Sequence, residues 1–264
     1  IAIVGGRNIG NPYFGMSDHY NNADLDVMLM GDVVLTISDA YDRYWNADPA
    51  YPGAALSETA SAEQIPELRK RLRAYLQDNR ERLGSFPIEP QNWQAMFDTL
   101  PERVISGRAT FLQDIPVTQN GEEFKLLDMI DLLERDAARE VMLVSPYFIP
   151  SKGMLEGLAA YTKRGVKVKI LTTSLGSNNH TSVHSAYRKY RRKILATGAE
   201  LYEFKHNPSE QVKSLVQSPP VDAEFISLHA KSMIVDRDQV FIGSLNLDPR
   251  AVVLNTENGV SIES

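Results

Sequence analysis

The residues best suited to chemistry cluster near the carboxyl end, in His229-Ala-Lys231-Ser-Met-Ile-Val-Asp236 and then Gly243-Ser244-Leu-Asn246-Leu-Asp248. Residues 226 to 235 are apolar and β-compatible, and Val240-Phe241-Ile242 follows the polar turn Arg237-Asp238-Gln239. That pattern predicts two strands joined by a short turn. Alternate side chains of a strand share one face at a repeat of roughly 6.5 to 7 Å, which places His229, Lys231, Met233 and Val235 together. An imidazole and an ammonium so placed can address one anion jointly. Gly243 to Asn246 ends the second strand beside them, adding the Ser244 hydroxyl, the Asn246 amide and a backbone open to close approach. Asp236 falls on the opposite face at the strand end, the place of a turn anchor. A histidine next to a lysine on a strand is more often ordinary surface; the Gly-Ser-x-Asn segment at this distance favours a site.

These strands need a frame. From Glu123 the pattern alternates: helix 123 to 138, strand 140 to 145, helix 152 to 164, strand 166 to 173, helix 181 to 197, strand 199 to 204. Alternation of this kind predicts an α/β fold with a mixed, largely parallel sheet flanked by helices. Ligands of such sheets sit beyond the carboxyl ends of strands. Those ends are Ser145-Pro-Tyr147-Phe148 and Thr172-Thr-Ser174-Leu-Gly-Ser177-Asn-Asn179, polar enough to line a site. Upstream, Ile1-Ala-Ile-Val4 and residues 25 to 30 predict strands, and Val33, Val34, Ile37, Ala40, Tyr41, Tyr44 and Trp45 recur at helical spacing. A second helix is predicted from Glu63 to Leu83, with Ile65, Leu68, Leu72, Tyr75, Leu76 and Leu83 inward and Arg69, Lys70, Arg71, Arg73, Arg80 and Arg82 mostly outward. A solvated surface is the simpler reading of that basic face; attraction to anionic lipid headgroups is the sharper one. Prolines at 87, 90, 101 and 116 make 84 to 122 a connecting region with one possible strand, Arg103 to Leu112, while 46 to 62 and 206 to 223 read as loops.

Composition narrows the function classes. With 43% hydrophobic and 23% charged residues the chain is a globular protein rather than a disordered one. A net charge of -6 argues against a general nucleic-acid binder, although a local basic patch is compatible with it. The absence of cysteine excludes disulfides, thiolate metal sites and a cysteine nucleophile. No apolar run reaches the length of about 18 residues that spans a bilayer, and no signal peptide opens the chain, so any membrane contact within this segment is expected to be peripheral. A start at Ile1 and an end at Ser264 inside an apparent strand suggest a fragment.

The beginning of the chain resembles its end. Ile3-Val-Gly-Gly6-Arg-Asn8 matches Phe241-Ile-Gly-Ser244-Leu-Asn246 position for position, and Asp24-Leu-Asp-Val27 matches Glu257-Asn-Gly-Val260, in the same order. A duplicated unit is the expectation, and with it a His-x-Lys-x4-Asp segment upstream of Ile1.

His229-x-Lys231-x4-Asp236-x6-Gly243-Ser244-x-Asn246 resembles the motif of the phospholipase D superfamily. Ser145-Pro-Tyr-Phe-Ile-Pro150, Gly165-Val-Lys-Val-Lys-Ile-Leu-Thr172, His184-x2-Tyr187-x2-Tyr190-Arg191 and Asn255-Thr-Glu257 resemble the second half of bacterial cardiolipin synthases and related phosphatidyltransferases. Gly5-Gly-Arg-Asn-Ile-Gly-Asn-Pro-Tyr-Phe14 is similar to the tail of their first motif, and Asp42-Arg-Tyr-Trp-Asn46 to a helix that follows it. The resemblance implies a pseudo-twofold duplicated fold: residues 1–45 as the tail of a first repeat, 46–122 as a helical insertion and connecting region, and 123–264 as the second repeat. It implies phosphatidyl transfer between phospholipids, with cardiolipin as product, at the cytoplasmic side of the bacterial inner membrane and without metal or cofactor. One histidine attacks phosphorus, giving a phosphohistidine, while the other protonates the leaving alcohol and then activates the acceptor. An unperturbed pKa of about 6.5 suits histidine to both tasks. With the first-motif histidine as nucleophile, His229 is left as general acid and base, and the segment alone is expected to lack transferase activity. Lys231 and Asn246 would bind phosphoryl oxygens, Glu257 would orient the His229 ring, and Asp24 would do the same for the other histidine. Asp236 completes the motif's catalytic set.

Ser244, Gly6, Asn8, Asp24, Tyr147 and His184 are the candidate substrate-binding residues. His180 and His184 are spaced like metal ligands on a helix, but Thr181 replaces the glutamate of His-Glu-x-x-His and no third ligand is evident. His184 with Arg191 is as compatible with a pocket wall as with plain helix surface. Gly5-Gly-Arg-Asn-Ile-Gly10 does not fit the dinucleotide fingerprint. Two rivals stand beside lipid transfer: a phosphodiesterase or nuclease of the same superfamily, and a phosphate-binding module without turnover.

Overall fold

The computed structural model describes residues 1–56, 61–83, 90–115 and 137–263. Strands β1 (Ala2–Gly5), β2 (Tyr20–Ala23) and β3 (Asp26–Leu29) come first, followed by β4 (Arg108–Gln113), β5 (Glu140–Val144), β6 (Lys167–Thr173) and β7 (Glu200–Phe204). The last four are β8 (Phe225–Leu228), β9 (Ser232–Val235), β10 (Gln239–Gly243) and β11 (Asn258–Glu263). One mixed sheet of seven strands runs in the order β4-β11-β10-β9-β5-β6-β7, with the pairs β1-β3 and β2-β8 as separate small sheets. The alternating segment forms the parallel part, β5-β6-β7, and the hairpin β9-β10 with β11 and β4 extends it antiparallel. Parallel pairing is thus confined to three of the seven strands; β9 and β10 join by a short turn, whereas β11 and β4 reach the sheet by longer connections.

The core lies under the parallel region. Val141, Val168 and Ile170 from β5 and β6, with Phe148, Tyr187 and Ile194, are all at most 2% exposed. Burial of a side chain of this size contributes roughly 1.5 to 3 kcal/mol. Helix Lys152–Lys163 begins at Ser151, whose hydroxyl accepts the Met154 N–H at 3.1 Å, and it covers β6 with Leu158. The expected helix 181 to 197 is two pieces, Thr181–Tyr187 and Arg191–Ala196, separated by a tight turn with i to i+3 bonds from Lys189 and Tyr190. The helix expected over 123 to 138 falls almost wholly outside the described residues. Three regions read as irregular contain helices, Gly53–Leu56, Pro90–Thr99 and Glu210–Val216.

The helix expected from Glu63 is present as Gln64–Asp78 with a 3-10 turn at Arg80–Leu83, but of the residues expected to pack inward Ile65, Leu68, Leu72, Tyr75 and Leu76 are exposed and Leu83 is half-buried. None of its residues is buried.

The single strand expected over 226 to 235 is two. β8 pairs in parallel with β2, whereas β9 pairs with β5 and β10, so the chain passes from one sheet to the other at His229-Ala-Lys231. Both the His229 and Ala230 N–H groups donate to the Ala23 carbonyl, at 2.8 and 3.1 Å, and secure the crossing. The hairpins β1-β3 and β10-β11 repeat each other in register: Gly5 faces Asp26 where Gly243 faces Gly259. Val4 and Leu29 of the first pack with Val260 of the second in a small apolar cluster.

Candidate active site

Parallel pairing of β2 with β8 sets Ala23 opposite Leu228, so the next residues, Asp24 and His229, emerge side by side. Asp24 Oδ2 lies 2.8 Å from His229 Nδ1, with the Asp24 side chain fully buried. Burial pushes the Asp24 carboxyl up, but the hydrogen bond and charge of His229, with the charge of Lys231, hold it below the ordinary range. His229 moves down in turn: burial is the main cause, the Lys231 charge adds to it, and Asp24 opposes it. Near neutral pH the pair is therefore carboxylate and neutral imidazole, with the proton on Nδ1 facing Asp24 and Nε2 unprotonated.

Lys231 is buried to 3% exposure. Its Nζ donates to the His229 carbonyl at 2.5 Å and stands 3.0 Å from each ring nitrogen. Burial lowers its pKa to about 8, against the opposing charges of Asp24 and Glu257. Gly6 makes room for this lysine, since a Cβ there would meet Lys231 Cδ at 2.9 Å and the Gly243 carbonyl at 3.3 Å.

The opposite wall comes from the end of β10 and the start of β11. The Ser244 hydroxyl donates to Glu257 Oε2 at 2.5 Å and accepts the Asn258 N–H at 3.1 Å, while Asn255 Nδ2 donates to Glu257 Oε1 at 3.0 Å. Burial raises the Glu257 pKa; the bonds from Ser244 and Asn255 pull it back, and Asp114 adds to the rise. Asn246 Oδ1 is buried without a hydrogen-bond partner among the described residues. Gly6, Asn8, His229, Lys231, Ser244, Asn246 and Glu257 line one cleft of about 600 Å³. Such a cleft offers a neutral imidazole as base, a buried cation and amide for an anion, and a second carboxylate facing them.

Three expectations change. The carboxylate on His229 is Asp24, not Glu257, because β2, whose two asparagines hide it in the sequence, carries Asp24 across the parallel pair. Asp236 does not reach the cleft: it occupies a positive-φ position in the β9-β10 turn and accepts the N–H groups of Ala138, Arg139 and Glu140 at 2.7 to 2.8 Å. It anchors the entry to β5, as its place on the far face of the strand predicts. His184 is 4% exposed and turned into the core, with Arg191 at 3.4 Å from Nε2 and no partner on Nδ1 among the described residues. It lies beside Tyr187 and Arg191, both bonded to Glu203, and does not line the cleft.

Tyr147 donates to Asn179 at 3.0 Å and packs edge-on against His180, also outside the cleft lining. Tyr13 was not singled out from the sequence, yet its ring meets His229 edge-on at 5.0 Å and its hydroxyl accepts from Asn8 at 3.1 Å. Arg7 pairs with Asp26 at 2.5 Å and braces the same loop. The Gly-Gly-Arg-Asn run carried a signal for the loop but none for the aromatic ring five residues on.

The family described as "Cardiolipin synthase, PLD-like domain" matches residues 129–264, and the chain belongs to this phospholipase D-like family. Cardiolipin synthase C of Escherichia coli (strain K12) is 33% identical over 270 residues, spanning 100% of this chain and 56% of that protein. Cardiolipin synthase A of Pseudomonas entomophila (strain L48) is 26% identical over 259 residues, 97% of this chain and 40% of the relative. The chain spans about half the length of the curated relatives it matches. Phosphatidylserine synthase of Haemophilus influenzae Rd KW20 superposes with a TM-score of 0.60 over 99% of this chain and 55% of that one; at 17% identity the likeness is one of fold.

Proposed function

We propose that this chain supplies one half of the active site of a phosphatidyltransferase that joins phospholipids, with cardiolipin as product. The observation that carries the reading is the Asp24-His229 pair beside buried Lys231, facing Asn246 and Glu257 across one cleft. Lys231 and Asn246 hold the phosphoryl oxygens, where charge gathers in the transition state. The neutral His229, its Nδ1 proton held by Asp24, takes the proton of the acceptor hydroxyl at Nε2 as that oxygen attacks the phosphorus of the phosphohistidine and the phosphorus–nitrogen bond to the first-motif histidine breaks. In the preceding half-reaction the first-motif histidine attacks phosphorus, the bond to the departing alcohol breaks, and His229, protonated at Nε2, gives that proton to the alcohol; a bound phosphodiester anion beside Lys231 offsets the lysine charge that disfavours imidazolium.

Glu257 occupies the position in the second repeat that Asp24 occupies in the first, and it bears on a histidine of a first His-x-Lys motif as Asp24 bears on His229. Residues 1–45 then form the tail of a first repeat and 123–264 the second, with 46–122 between them. Phospholipid substrates support work at a membrane surface; the cytoplasmic side is what the family resemblance implies. Among the described residues no helix is long and apolar enough to cross a bilayer.

Product analysis of the full-length protein with phosphatidylglycerol vesicles and with DNA tests the reading. Cardiolipin formation is expected, together with a loss of about 10² to 10⁴ in rate for His229→Ala. DNA cleavage without lipid turnover would overturn the lipid assignment, and a near-normal rate in the variant would remove His229 from the chemistry.

A further inference from the structure

We infer, given the phospholipid substrates proposed above, that helix Gln64–Asp78 is an interfacial anchor that lies on an anionic bilayer and holds the cleft at its surface. Its apolar residues Ile65, Leu68, Leu72, Tyr75 and Leu76 are 41 to 55% exposed, so among the described residues nothing covers the face that would normally seat a helix on its core. At 100° per residue they fall within an arc of roughly 100°. Arg69 and Arg73 border that arc on one side and Arg71 on the other, where long basic side chains lay their stems on apolar surface and put their charge at the headgroups.

Charge points to the same occupant. Between Gln64 and Leu83 there are six basic and three acidic residues, a local positive excess in a chain of net -6. An anionic bilayer satisfies both the apolar stripe and its basic borders with one surface.

The helix is also tied to the site. Arg82, in the turn that follows it, pairs with Asp18 at 2.7 Å and donates to the Met16 carbonyl at 3.3 Å. Met16 and Asp18 close the loop that bears Asn8 and Tyr13, the residues that line the cleft and edge the His229 ring. On that loop Ile9 is wholly exposed and Phe14 is 57% exposed, so two further apolar groups stand free on the loop that borders the cleft. A helix seated on lipid and braced to this loop brings the loop down with it.

Co-sedimentation of the chain with vesicles of equal parts phosphatidylglycerol and phosphatidylcholine, against phosphatidylcholine alone, tests the anchor. Binding is read without turnover, so it is decided separately from the transferase reading. The chain is expected to pellet with the anionic vesicles only. Each basic residue near such a surface is worth about fivefold in partitioning, so the triple variant R69Q/R71Q/R73Q should bind on the order of 100-fold more weakly. L68Q/L72Q should lose about tenfold or more. All five positions are exposed, and unchanged thermal unfolding checks that the variants fold. Since the chain has no cysteine, Leu72→Cys accepts a single environment-sensitive dye, whose emission should shift blue on anionic vesicles. Equal binding by both variants, or a dye that stays in water on bound protein, overturns the inference. So does a dimer that L68Q/L72Q dissolves while vesicle binding is unchanged, which would assign the stripe to a second copy.

Discussion

The hairpins β1-β3 and β10-β11 match in sequence and register, yet the carboxylates that precede their second strands live in different surroundings. Asp24 has the His229 ring at 2.8 Å and is held ionised; Glu257 has a serine and an asparagine and is pushed toward the protonated form. Matching positions thus serve different partners, because the histidine that meets Asp24 follows β8, the parallel neighbour of β2. The Asp24-His229 contact joins the two ends of the chain, since β2 near the start is built into a small sheet with β8 near the end.

The largest expected effect separates the two carboxylates. Asp24→Asn removes the hydrogen bond and charge that raise the His229 pKa, so proton titration of His229 by NMR should show it fall further, with a rate loss of about 10² or more in the full-length enzyme. Glu257→Gln should leave the His229 titration in place. Equal shifts from both variants would erase the distinction between the hairpins. Next in size, Gly6→Ala forces a Cβ against Lys231, and overpacking of about 1 to 3 kcal/mol should weaken binding of a phosphate mimic such as tungstate by about tenfold, measured by calorimetry.

A pH series sharpens the role of Lys231. Its folded pKa of about 8 lies below the unfolded value of about 10.4, so between those values the unfolded chain binds more protons and stability rises with pH, by up to about 3 kcal/mol. The urea midpoint should climb across that window in the native chain and not in Lys231→Gln, while tungstate affinity falls above pH 8 as the cation is lost. The smallest effect on chemistry belongs to Asp236→Ala. Loss of its three N–H contacts should cost about 1 to 3 kcal/mol in urea unfolding, with binding of the anion unchanged.

Much of this was legible in the residues. Period-2 and period-3.6 patterns located β5, β6, β7 and the β9-β10 hairpin, since each buries a local face that repeats along the chain. The His-x-Lys and Gly-Ser-x-Asn spacing located His229, Lys231, Ser244 and Asn246 in one cleft, and the weak repeat anticipated the shared register of the two hairpins. Strand β2 was not legible, because Tyr-Asn-Asn-Ala carries neither apolar alternation nor β-branched residues.

The opening group of residues therefore divides by physical cause. Local sequence alone determined that a histidine and a lysine would stand together at a strand end beside a hydroxyl and an amide, since strand geometry and turn spacing act over a few residues. Only the tertiary structure decided that Asp24, some two hundred positions away, holds the His229 ring, that Asp236 serves a turn, and that His184 is core. Those outcomes depend on which strands pair and in what register, and a parallel pair between distant segments leaves no periodic trace in either of them.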